Sequence, residues 1–205
     1  MSEAIEYERV GDIAILAANN PPVNALGAAV RQGLINGIDE ALSDDSVKAV
    51  VLRCDGRTFF AGADITEFGK PMEGPNLGEA IDRMEASDKP VVAAIHGTAL
   101  GGGCEVALAC HYRVCSDNPK IQLGLPEVTL GLLPGAGGTQ RLTRLVDLET
   151  AIDLITSGRK VDAAKALEIG LVDQIGQGAP RDVALKAASD IIEGDLKTRL
   201  TGELT

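Results

Sequence analysis

Polar and apolar positions alternate at the start of the chain through Ile5, Tyr7 and Arg9, break at Gly11-Asp12, and resume as Ile13-Ala14-Ile15-Leu16. Alternation on both sides of a short Gly-Asp break predicts two strands joined by a tight turn. From Leu26 the period changes. Leu26, Val30, Leu34 and Ile38 recur every fourth residue and place one apolar stripe along a helix. The run Ala49-Val50-Val51-Leu52 is apolar without interruption, the pattern of a strand buried on both faces. A helical stretch over about 77–86 leads through Lys89-Pro90 into a second such run, Val91 to Ile95. A glycine-rich turn then opens a helix through Glu105 to Ala109, and a strand follows near Arg113-Val114-Cys115. Strand, crossover helix and strand in repetition predict a parallel sheet with right-handed connections. The rest is mainly helical, with stripes over 151–156, 163–167 and 183–192. No repeat, linker or low-complexity tract divides the chain, so one α/β domain over 1–205 is expected.

Composition narrows the function. The net charge of −11 argues against a nucleic-acid or anionic-membrane partner, since both need a basic surface. An anionic small molecule remains compatible, because a few local amides and cations outweigh a distant acidic field. No apolar run approaches membrane length, no basic-then-apolar leader opens the chain, and Gly202-Glu203-Leu204-Thr205 carries no recognisable address. A cytoplasmic protein is expected. Cys54, Cys104, Cys110 and Cys115 form no C-x-x-C pair and read as buried free thiols; no metal site is expected. His96 and His111 lack ligand-spaced companions and read as structural.

The 24 glycines gather in three places. Ala61-Gly62-Ala63 follows a buried strand with only small side chains, so a ligand could approach the main chain there; a tight packing turn is the simpler reading of that segment alone. Gly101-Gly102-Gly103 heads a helix. Such a run costs chain entropy, and it leaves N–H groups at the positive end of the helix dipole, suited to an anionic oxygen. The spacing is neither a dinucleotide fingerprint nor a P-loop. Glu105 follows among Val106, Ala107, Leu108 and Ala109, where a carboxylate needs a partner or a shifted pKa. Glu127, in Leu125-Pro126-Glu127-Val128, repeats the puzzle. Either alone is equally well a solvated or salt-bridged residue; two beside glycine-rich turns favour an acid/base pair. The third cluster, Gly131 to Gly138, suits a water or ligand tail, or a loop leading to a helix with Thr139 near its start.

Together, Ala61-Gly62-Ala63-Asp64-Ile65, Ile95-His96-Gly97 to Glu105, and Pro126-Glu127 resemble the crotonase (enoyl-CoA hydratase/isomerase) superfamily over about 20–173. Pro21-Pro22-Val23-Asn24-Ala25, Cys110 to Val114 and Leu125 to Pro134 are most similar to the N-terminal hydratase part of bifunctional β-oxidation enzymes. In those a dehydrogenase follows on the same chain; none is expected here.

The resemblance implies a crotonase-like spiral of ββα units over about 1–175, with a shortened helical C-terminal segment over about 176–205. It implies an oxyanion hole from the N–H groups of Ala63 and Gly102, and Glu105 and Glu127 as the acid/base pair holding the water. Gly135 would help to fix that water through its backbone. Ala61, Ala63, Asp64 and Ile65, with Gly102 and Gly135, would bind the acyl-CoA. Arg57, just before that stretch, would reach the CoA 3′-phosphate or equally well stand solvated, and Thr66 stands where some relatives are basic. The implied activity is hydration of 2-enoyl-CoA in fatty-acid β-oxidation, with no cofactor beyond the CoA of the substrate and a trimer-based homo-oligomer. Rival readings are a 3,2-trans-enoyl-CoA isomerase on the same site, a non-catalytic CoA-binding subunit, and a ClpP-like serine peptidase. The last lacks a nucleophilic Ser at the turn, where Gly101 to Cys104 stand.

Overall fold

A computed structural model describes residues 4–204; residues 1–3 and 205 of the expected 1–205 domain lie outside it. Strands β1 (Ile5–Val10) and β2 (Ile13–Ala18) form the expected antiparallel hairpin, with Gly11 supplying the positive φ at its turn. Helix α1 (Ala28–Ser43) buries Val30, Leu34 and Ile38. It leads to β3 (Ala49–Cys54), which lies parallel to β2. After α2 (Leu77–Glu85), whose first turn is capped by the Asn76 side chain, β4 (Val91–Ile95) adds in parallel. The chain then makes a two-residue strand β5 (Ala99–Leu100), helix α3 (Gly102–Ala109), β6 (Tyr112–Ser116) and a second two-residue strand β7 (Leu123–Gly124). Helices α4 (Gly138–Leu145), α5 (Leu148–Ser157) and α6 (Ala163–Glu168) precede β8 (Gln174–Gly176) and α7 (Pro180–Glu193). The main sheet runs β1-β2-β3-β4-β6-β8, and β5 pairs with β7 in a separate ladder.

The uninterrupted apolar runs are explained by two-sided burial. Ala14, Leu16, Val50, Leu52, Val91, Ala93 and Ile95 face one core with α1 to α6, while Ile13, Ile15, Ala49, Val51, Val92 and Ala94 face a second core closed by α7. Alternate residues point to opposite faces, so both sets must be apolar. The residues after α7 run back over the molecule. Arg113, wholly buried, donates to the Arg199 carbonyl and pairs with Asp173 at 2.8 Å; Arg199 pairs with the same carboxylate at 2.6 Å.

The four cysteines are free and buried, as expected. His111 is buried and accepts or donates only to main chain, at Val91 N–H and the Ser87 carbonyl. Among the described residues no helix is long and apolar enough to cross a membrane. Strands β5, β7 and β8 were not legible, because two or three residues carry no period. Helix α4 is capped by Gly137 without a side-chain cap, so Thr139 lies inside it.

Candidate active site

The short β5–β7 ladder builds the site. Its register, Ala99↔Leu123 and Leu100↔Gly124, sets the start of α3 beside the 3-10 turn Pro126–Leu130. Glu105 thus leaves the first turn of α3, and Glu127 the first turn of its neighbour. Gly101 sits between them at φ +54°; a Cβ there would lie 3.0 Å from Glu127 Oε1. The third glycine cluster closes over Glu105. Its Oε1 accepts the N–H groups of Ala136 and Gly138, each at 2.8 Å. A Cβ on Gly138 would meet Glu105 Cγ at 2.9 Å, so the loop can come this near only with glycine.

Glu105 is 2% exposed. Burial pushes its carboxyl above the ordinary range, against the pull of the two amides and of Arg141. Burial also raises Glu127, only partly offset by a bond to its own main chain, and the charge of Glu105 pushes it further up. Glu127 Oε2 is buried with no hydrogen-bond partner among the described residues.

Two amides lie close by. Leu26 N–H donates to the Gly62 carbonyl at 2.9 Å, which lays the 61–64 segment along residue 26. Neither Ala63 N–H nor Gly102 N–H has a hydrogen-bond partner among the described residues. A Cβ built on Gly102 would stand 3.9 Å from the Ala63 nitrogen. The next residue, Gly103, is pressed against the Phe60 carbonyl with no room for any side chain. Two unpaired donors, one of them at the start of α3, suit a developing oxyanion.

Residues 8–194 match the sequence model of the enoyl-CoA hydratase/isomerase family. The chain belongs to this family. It is 50% identical over 200 residues to a peroxisomal bifunctional enzyme of Danio rerio, covering 97% of this chain and 28% of that protein. It is 42% identical over 182 residues to a probable enoyl-CoA hydratase of Bacillus subtilis, covering 85% of this chain and 69% of the relative. A carnitinyl-CoA dehydratase structure from Mycobacterium avium superposes with a TM-score of 0.86 at 35% identity, over 96% of this chain and 78% of the other. The fold is therefore the crotonase fold. The chain spans little more than a quarter of the bifunctional relatives' length.

Within this family member, the Gly102 backbone lies beside the Ala63 nitrogen, Gly101 packs on the Glu127 carboxyl, and Glu105 follows within the first turn of α3. Ala61 N–H is used internally, donating to the Val23 carbonyl at 3.2 Å. The Asp64 carboxylate accepts Thr66 N–H and caps the turn Ile65–Glu67, while Ile65 projects into solvent. Gly135 lines a cleft of 360 Å³ with Asp82, Glu85 and Arg141, but the loop's bonds to Glu105 come from its neighbours 136 and 138. Arg57 is exposed and lines a different cleft of 540 Å³ with His96 and Lys120.

Sequence reasoning missed the residues that brace these segments. Buried Arg31 donates to the carbonyls of Leu26, Glu73 and Pro75 and to Glu67, and so ties residue 26 to the later half of the loop containing Ala63. Asn24, at φ +52°, donates to the Asp55 and Thr58 carbonyls. Arg141 reaches the Ala136 carbonyl. The only sequence signal for these was an Arg or Asn beside a glycine- or proline-rich segment.

Proposed function

We propose that this chain hydrates 2-enoyl-CoA thioesters to 3-hydroxyacyl-CoA, as a step of fatty-acid β-oxidation. The observation that carries the reading is a pair of carboxyls, buried Glu105 and half-buried Glu127 with its Oε2 shut off from solvent, set beside two unpaired amides. Water held between the carboxyls attacks C3 of the enoyl group. Glu105, its Oε1 already fixed by two N–H groups, helps to take the water proton. Glu127, kept protonated more readily by burial and by its neighbour's charge, delivers a proton to C2. Charge moves meanwhile to the thioester oxygen, where Ala63 and Gly102 would donate; a well-placed donor of this kind is worth roughly 2.7–4 kcal/mol. The acyl-CoA binds along 61–65, with Gly135 at the water side.

Isomerisation of a 3-enoyl-CoA is a second activity of the same site. It needs a single carboxyl to move one proton, and the unpartnered Oε2 of Glu127 supports it. A purely CoA-binding role would leave two raised carboxyls without a task. Incubating the pure chain with crotonyl-CoA and following the enoyl absorbance tests the reading; a folded protein without turnover would overturn it.

The bifunctional relatives carry "peroxisomal" in their names, which competes with the cytoplasmic expectation for this chain; fractionation against marker enzymes decides between them. Assembly into trimers is proposed with it. Its support is exposed apolar surface of the kind that subunit contact covers: the run Leu130, Leu132 and Leu133, and Leu148 and Ile152 on α5, the helix that packs against the Pro126–Leu130 turn.

A further inference from the structure

Behind the loop that receives Glu105 lies a cluster of polar side chains that the reaction does not touch. Arg141 is 7% exposed and comes from the first turns of α4. Its Nη1 donates to the Ala136 carbonyl at 2.7 Å. Its Nη2 donates to Glu85 Oε2 at 2.7 Å and to Asp82 at 3.1 Å, both on α2. The other oxygen of Glu85 accepts the Thr201 hydroxyl at 2.6 Å, from the segment that follows α7. Thr201 is wholly buried. Residue 136 is therefore gripped twice, through its carbonyl by Arg141 and through its N–H by Glu105 Oε1. Gly137 has no room for a side chain, because a Cβ would run into Arg141 Nη1. The guanidinium and the loop are fitted to each other.

We propose that Arg141 is a positioning residue for the reaction: held by Glu85 and Thr201, it fixes the Ala136–Gly138 amides and through them the carboxylate of Glu105. The inference rests on the hydratase reading above for its catalytic consequence, not for its geometry. The planar guanidinium suits the task because it offers several donors in a fixed fork, one to the loop and others to the carboxylates. A Lys ammonium at that place could not span both. Glu85 stays ionised for this role: burial pushes its carboxyl up, but the bonds from Arg141 and Thr201 outweigh that and hold it below its ordinary value. The charged and titratable groups that act around Glu105 are Glu127 from the turn after β7, Arg141 from α4, and the adjoining buried Cys104 thiol.

The experiment compares the parent chain with Arg141→Gln, Arg141→Lys and Thr201→Val. Steady-state hydration of crotonyl-CoA is measured, together with a ¹³C-carboxyl titration of Glu105. Misplacing a catalytic group by about 1 Å costs on the order of 10²-fold, so Arg141→Gln should lose about 10- to 100-fold in kcat with KM changed less than about twofold. Arg141→Lys should recover part of the loss, and Thr201→Val should lose severalfold in kcat. The Glu105 carboxyl should titrate at higher pH in Arg141→Gln than in the parent, since both a cation and a well-placed amide are withdrawn. If Arg141→Gln does not fold, Thr201→Val carries the same two readouts. Parental kcat with an unmoved Glu105 titration in a folded variant would overturn the proposal and leave Arg141 as scaffold only. A parent that fails to hydrate overturns the functional reading alone, because the Glu105 titration still decides the positioning role.

Discussion

Glu105 and Glu127 differ in how each is held, and their substitutions should separate accordingly. Removing a member of an acid/base pair costs about 10²–10⁴-fold in rate. Glu105→Gln should lose hydration while retaining much of any isomerase activity, and Glu127→Gln should lose both; a Glu127→Gln protein that hydrates crotonyl-CoA at the parental rate would remove the assignment. The same substitution should affect stability with the opposite sign. A carboxyl raised in the folded state binds its proton more tightly folded than unfolded, so folding loses free energy as pH rises from the ordinary carboxylate range through the raised value. Glu127→Gln is free of that loss. Its melting temperature should exceed the parent's at neutral pH, and the difference should vanish below the ordinary carboxylate range. Thermal melts across pH check this, and a variant less stable at neutral pH would contradict it. A functional group that strains the fold gives this signature.

At the scale of elements, the three consecutive glycines before Glu105 are not equivalent. A methyl on Gly102 would meet Leu77 Cδ2 at 2.7 Å and Leu26 Cδ1 at 3.2 Å, both ends of side chains that can turn aside. A methyl on Gly103 would meet the Phe60 backbone, which cannot. Gly103→Ala should therefore destabilise by at least the roughly 1–3 kcal/mol typical of overpacking, and Gly102→Ala by clearly less; denaturant midpoints compare them. Gly102→Pro lacks the proposed donor and should lose most hydration even when folded. The sequence marked this segment as main chain that a ligand could approach, but not which of its glycines packing requires. That requirement depends on Phe60, more than forty residues earlier. Long elements were legible for the converse reason: α1 carries its period within itself, and β3 and β4 carry unbroken apolar runs long enough to read. The partners of Glu105 lie 31 and 33 residues further on, where no local pattern can report them.

For the molecule as a whole, the segment after α7 is fastened at several points, and the Asp173 carboxylate is one that also serves the core. Asp173 neutralises buried Arg113 and pairs with Arg199. Breaking a buried pair from one side typically costs about 3–5 kcal/mol, so Asp173→Asn should lower the unfolding free energy by about that amount, read by chemical denaturation. Sedimentation should find trimers, and Leu133→Glu should dissociate them if the exposed leucines lie between subunits. Finally, the two-residue β5–β7 ladder acts as a ruler. Glu105 lies five residues beyond Leu100 and Glu127 three beyond Gly124, so the separation of the carboxyls is written in one pairing register. A slip of one residue would slide one carboxyl past the other by about 3.3 Å, more than the width of a water molecule. Single-residue insertions or deletions on either branch would thus change what fits between the two carboxyls, and with it the chemistry, while the rest of the fold stayed as it is.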